Sequence, residues 1–374
     1  MFQKVLENKL IKQIGTLSAG SIIAQFIALL STPILSRYYS PDAFGLLGSV
    51  LTIAAIVSSV VALKYEMAIV LTKTKRETNH LVAISLITLS VLFFTFSLVV
   101  FNSPSLLKSI GLNKPSTLII TLLVIIILGM GFQNILYQWY TKHENFIVMT
   151  KHKVIQKIVI VFLQILMVFI LSNKLGLIWG YSIGLIISLI YILIPLKSEL
   201  LNLNIQKERL KLLAKKYYRF PLFTAPQNFL NSLSQGLPVL LLGHFFDMKI
   251  VGFYFFAVRI LQLPSTIISG SIKQVFYKRA SDLRVNIPEL FGEFKKITLV
   301  LLCTITPPTI VIFIFGPEIF SFCFGIEWVK AGEMASWMIL WVGLMFVNPP
   351  SNAILLVLNK NSTQLFFDVV LTLS

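Results

Sequence analysis

The chain has 374 residues, 56% hydrophobic and only 13% charged, with a mean hydropathy of +0.84 and a formal net charge of +17. A soluble domain carries about 25% charged residues, so this composition excludes a water-soluble globule and asks for a bilayer as solvent. The excess of Lys and Arg is read as the basic bias of cytoplasmic loops in preference to a nucleic-acid surface. Taken in order, the stretches free of Asp, Glu, Lys and Arg are 13–36, 43–63, 81–107, 115–141, 158–173 and 175–196; after a basic segment come 220–246, 250–272 (interrupted by Arg259), 297–317 and 334–359. About 20 apolar residues of helix cross the hydrocarbon core, and these windows are too long and too uniform for barrel strands. They predict ten transmembrane helices, with a partial eleventh from Asn361 that contains Asp368.

The loops orient the spans. With the N-terminus in the cytoplasm, inner segments hold 25 of the 32 basic residues and outer segments 6, Arg259 being the one left within a span. That asymmetry decides a topology. The longest inner connection, 197–219, is basic and amphipathic and suits a helix on an anionic membrane surface. It divides the chain into a six-helix bundle at 1–196, a linker at 197–219 and a second bundle at 220–374.

Each bundle opens with a similar phrase. "PILSRYYSPDAFGLLGSV" starts at Pro33 and "PVLLLGHFFDMKIVGFYFF" at Pro238. Pro33 precedes Gly45 by 12 positions and Pro238 precedes Gly252 by 14. A basic inner segment follows each, 19 positions from Gly45 to Lys64 and 21 from Gly252 to Lys273. Both copies run outward and then inward. They read as parallel repeats about an axis normal to the membrane, an arrangement used by alternating-access transporters.

Cations within or beside the spans are the candidate site residues, because a charge at membrane depth is costly and marks a pathway. Arg259 lies within a span and stays charged at any ordinary pH. Lys64 ends span two, Lys273 holds the corresponding place in the second half, and Arg37 sits at the outer end of span one beside Tyr38 and Tyr39. Glu66 reads as a solvated helix end. No complete window contains Asp or Glu, which favours an anionic, phosphate-bearing substrate over a cationic drug. Cys303 and Cys323 form no CxxC, the four His form no metal spacing, and no P-loop occurs. No cofactor, metal or catalytic residue is expected.

"LLSTPILSRYYSPDAFGLLGSV", "KYEMAIVLTKTKRE" and "PVLLLGHFFDMKIVGFYFFAVRILQLPSTIISGSIKQVFYKRASD" together resemble Wzx-type flippases. These are polysaccharide biosynthesis proteins of the multidrug/oligosaccharidyl-lipid/polysaccharide transporter superfamily. The resemblance implies an all-α integral membrane protein of two six-helix bundles, the second incomplete here because the chain stops within span eleven. It implies a flippase rather than an enzyme, moving undecaprenyl-diphosphate-linked oligosaccharide repeat units across a bacterial inner membrane for O-antigen, capsule or exopolysaccharide synthesis. Membrane lipids, a polysaccharide polymerase and chain-length proteins are the expected partners. Arg259, Lys64, Lys273 and Arg37 fall in the resembling segments and would bind the substrate.

Three other functions remain open at this level. A flippase for lipid-linked peptidoglycan precursors shares the cationic logic. A drug exporter of the same superfamily would need carboxylates in its spans. A membrane polysaccharide polymerase would carry a large outer loop, and the outer loops here are short.

Overall fold

The computed structural model describes residues 2–112, 115–171, 175–194, 206–283, 286–351 and 354. The described part of each of the ten predicted windows lies mainly on helix, and the described residues contain no strand. The partial eleventh span and Asp368 lie outside the described residues. The helices are α1 (Phe2–Tyr38), α2 (Pro41–Ser58), the short α3 (Tyr65–Ala68), α4 (Lys75–Asn102), α5 (Pro104–Ser109), α6 (Thr117–Lys142), α7 (Phe146–Ile170) and α8 (Gly176–Leu193). Then come α9 (Lys207–Lys216), α10 (Ala225–Phe245), α11 (Met248–Asp282), α12 (Ile287–Phe324) and α13 (Val329–Val347). Among the described residues, eight helices are long and apolar enough to cross a membrane. The chain is an all-helical, multi-pass membrane protein.

Local chemistry sets the helix ends. Pro41 occupies the first turn of α2, where a missing N–H costs nothing, and Asp42 follows it at the positive end of the helix dipole. Thr74 caps α4 by accepting from the Glu77 N–H at 3.2 Å, and the Glu77 carboxylate reaches back to the Lys73 N–H at 3.1 Å. Between α2 and α3 the chain turns through left-handed backbone at Leu63 (φ 51) and Lys64 (φ 59). That turn stops α2 five residues short of its predicted end at 63. Helix α12 is longer than its window and includes Pro307, Pro308 and Pro317, with a kink at Phe315 (φ −112, ψ 19). Prolines that free carbonyls within a helix are the usual cause of such a kink.

The chain forms two compact units. The first comprises residues 1–31 and 38–252. Here α8 presents Gly176, Gly180 and Gly184 at intervals of four. A Cβ on Gly180 would stand 2.6 Å from the Gln164 nitrogen, and one on Gly184 would stand 2.8 Å from the Ile160 Cα. Small residues let helix backbones approach this closely in lipid, where apolar burial alone drives no association. The Tyr39 hydroxyl adds a bond to the Gln164 carbonyl at 2.8 Å.

In the same unit the two repeated phrases meet. A Cβ on Gly45 would fall 1.9 Å from the Met248 carbonyl oxygen, and a Cβ on Gly252 would fall 1.8 Å from the Pro41 carbonyl oxygen. Each glycine therefore faces the carbonyl four residues before the other. The contact is reciprocal.

The second unit comprises residues 32–37 and 253–374. Its described core is aromatic. Trp328 stacks on Phe256 at 3.9 Å, with Phe320 and Phe324 edge-on to Phe256. The Trp328 indole N–H, which burial would otherwise leave unsatisfied, donates to the Ser36 carbonyl at 3.1 Å. The Ser36 hydroxyl donates to the Phe324 carbonyl at 3.1 Å. These bonds tie residues 32–37 of α1 into this unit.

Candidate functional site

Of the four cations expected to bind substrate, Lys64 belongs to the first unit, and Arg37, Arg259 and Lys273 to the second. Arg37 is exposed in the last turn of α1. Arg259 is half-buried on α11, more than two turns from its start, and Lys273 lies further along the same helix. Lys64 is half-buried, with its side chain 12% exposed, and its ammonium lies 3.6 Å from Glu66.

Glu66 is not a solvated helix end. It is 3% exposed, and its second carboxylate oxygen is buried without a hydrogen-bond partner. Burial pushes its carboxyl up from the usual range, and the neighbouring Lys64 cation only partly opposes that. The cause is the left-handed turn at 63–64, which folds the start of α3 back into the bundle. The linker docks on the same region. The Tyr65 hydroxyl donates to the Ala214 carbonyl at 3.3 Å, Lys216 pairs with Glu77 at 2.9 Å, and Leu213 is buried. The Gln206 N–H donates to His80 Nε2 at 3.2 Å, leaving Nδ1 to donate to the Arg76 carbonyl at 2.7 Å. Lys142 donates to the carbonyls of Val70 (3.3 Å) and Thr72. This is a tightly bonded loop and strap, built to hold position.

The more open polar chemistry lies elsewhere in the first unit. Helix α6 carries Gln133 and Tyr137 one turn apart. Helix α7 carries Lys153, Gln156 and Lys157, and α1 carries Ser21 and Gln25; all are half-buried. Residues three or four apart share a helix face, so three adjacent helices each offer a polar stripe. The stripes touch. Gln156 Nε2 donates to Gln133 Oε1 at 2.9 Å, and Gln133 Nε2 returns a bond to Gln156 Oε1 at 3.4 Å. The Lys153 ammonium donates to the Ser21 hydroxyl at 3.1 Å. The Tyr137 oxygen lies 2.8 Å from His152 Nδ1. Neither α6 nor α7 contains an Asp or Glu.

The sequence reading missed this cluster. It assigned Lys151, Lys153 and Lys157 to a loop, because a window free of charge begins only at residue 158. The helix begins at Phe146. The available signal was the polar spacing of Thr150, Lys153 and Lys157 in "MTKHKVIQKIVI", one helix face interrupting an apolar background.

A family model described as polysaccharide biosynthesis protein matches residues 34–333. The chain belongs to the polysaccharide biosynthesis protein family. No curated protein matches it. Among solved structures, this family member is similar to an inward-facing multidrug resistance MATE family transporter of the MOP superfamily. Identity is 14% and the TM-score 0.71, covering 93% of this chain and 84% of that one. It is also similar to the lipid II flippase MurJ in an inward closed conformation, at 13% identity and a TM-score of 0.72, covering 92% and 76%. A MOP superfamily transporter from Pyrococcus furiosus Vc1, described as having a binding pocket of reverse polarity, aligns at 14% identity with a TM-score of 0.53, covering 93% and 85%. At these identities the likeness concerns the fold, which this polysaccharide biosynthesis protein shares with transporters.

Proposed function

We propose that this chain is a flippase for undecaprenyl-diphosphate-linked oligosaccharide repeat units, the Wzx-type role that its sequence motifs resemble. It would serve surface polysaccharide synthesis in a bacterial inner membrane, with its N-terminus in the cytoplasm. The observation that carries the proposal is the sign of the charge at membrane depth. Arg259 on α11 and Lys153 and Lys157 on α7 are half-buried cations on apolar helices. Helix α7 has no acidic residue, and α11 has only its terminal Asp282. Intramembrane charges mark substrate paths, and guanidinium and ammonium groups bind phosphate oxygens through charge-assisted bonds. A lipid diphosphate matches that sign and a cationic drug does not.

The mechanism is alternating access between the bundles at 1–196 and 220–374, with 197–219 as their linker. Arg259, with Lys64, Lys273 and Arg37, would hold the diphosphate in turn from each side. The sugars would occupy the polar interior, and the lipid tail would stay in the bilayer.

Complementation tests this reading. The chain, Arg259→Ala and Arg259→Lys are expressed in a bacterium lacking its repeat-unit flippase, with membrane levels matched. The chain restores surface polysaccharide, Arg259→Ala does not, and Arg259→Lys restores part. A stably inserted chain that restores none, across hosts with different repeat units, contradicts the proposal.

A further inference from the structure

We infer that the Gln133–Gln156 amide pair, flanked by Lys153, is a saccharide-reading subsite that recognises the sugar end of the substrate, an acetamido sugar being the best fit. The inference rests on the flippase reading and adds a site separate from the cations assigned to the diphosphate.

Depth is the first ground. Gln156 lies ten residues after Phe146 and Gln133 nine before Lys142, so at about 1.5 Å per residue both are about 14–15 Å from the loop joining α6 to α7. The helices, of 26 and 25 residues, are each longer than the hydrocarbon core of about 30 Å. Gln156 lies two residues from the midpoint of α7 and Gln133 within four of that of α6, which puts the pair about a turn or less from the middle of both. Substrate sites of two-half transporters lie at that level.

The second ground is chemical. Two carboxamides at membrane depth are expensive unless satisfied, and here each satisfies the other. The reciprocal pair keeps both groups bonded while no ligand is present. It remains partly exposed: Gln156 retains one N–H and one carbonyl lone pair, while Gln133, whose amide also bonds the Tyr137 hydroxyl, retains a carbonyl lone pair. When the two amides separate slightly, one donates and the other accepts. An acetamido group offers its C=O and N–H on opposite sides and can bridge them. Ring hydroxyls can use the spare donors and acceptors. The third ground is Lys153, whose partner is the Ser21 hydroxyl. A ligand oxygen can replace that hydroxyl without separating an ion pair.

A structural amide pair would merely stitch α6 to α7, and the two roles can be told apart. The full chain in lipid nanodiscs is titrated with undecaprenyl-diphosphate and with undecaprenyl-diphosphate-linked N-acetylglucosamine, and binding is read by native mass spectrometry. Wild type prefers the sugar-bearing lipid by roughly tenfold, the size of about 1.4 kcal/mol of added bonding. Gln133→Leu/Gln156→Leu, which keeps the helices packed through apolar contact, binds bare undecaprenyl-diphosphate as wild type does but loses the preference. Arg259→Ala weakens both lipids together and leaves their ratio unchanged. A wild type without preference, or a double variant that keeps it, overturns the subsite while leaving the flippase reading intact. Failure of wild type to bind either lipid overturns both. If the double variant loses bare-lipid binding as well, the pair is structural and the inference is wrong.

Discussion

Glu66 shows how a single backbone turn changes the chemistry of a residue. In "KYEMAIV" it sits in a basic inner segment and reads as solvated. The left-handed backbone at Leu63 and Lys64 instead folds it into the first unit, 3% exposed. Desolvation raises its carboxyl more than Lys64 lowers it. The folded state therefore holds this proton more tightly than the unfolded state does. Stability is fullest below the ordinary carboxyl range and declines as pH rises through the raised value. Glu66→Gln mimics the protonated form. It should raise the thermal midpoint of the purified protein at pH 8, and the gain should vanish towards pH 4. A gain independent of pH would mean that the carboxyl titrates normally.

At the scale of elements, the repeated phrase is a packing device as well as a pattern. Gly45 and Gly252 each leave room for the carbonyl four residues before the other. Neither position tolerates a methyl group without moving backbone, and overpacking of this kind costs about 1–3 kcal/mol. Gly45→Ala and Gly252→Ala should each lower the thermal midpoint. The double variant should lose less than the sum, because one displacement relieves both clashes and contacting residues do not act independently. Additive losses would show that the two positions are independent.

Helices were legible where apolar length was the signal, and the described part of every predicted window lies mainly on one. Their ends were less so, for two different reasons. Helix α2 stops early because of a turn that residue type alone does not announce at Leu63 and Lys64. Helix α7 starts early because a lysine can belong to a spanning helix when a hydroxyl on α1 receives it. The paired glutamines were visible as residues but not as a pair, since that requires knowing that α6 and α7 run side by side. The spacing of Gly176, Gly180 and Gly184 was readable in advance as a close-packing face.

At the scale of the whole molecule, family membership and a transporter fold agree with a composition rich in lysine and arginine and poor in acids at depth. Residues 32–37 of α1 cluster with the second unit, and α10 clusters with the first. The compact units therefore do not follow the boundary at 197–219 expected from the sequence: the whole of α10 belongs to the first unit and only residues 32–37 of α1 to the second. Leaflet translocation tests the central claim most directly. The chain is reconstituted into vesicles holding an undecaprenyl-diphosphate-linked saccharide in both leaflets, and impermeant periodate oxidises the sugars it can reach. The account predicts that the inner-leaflet share becomes accessible with the chain present, and stays protected in protein-free vesicles and with Arg259→Ala. Continued protection in vesicles containing the inserted, folded chain would contradict it.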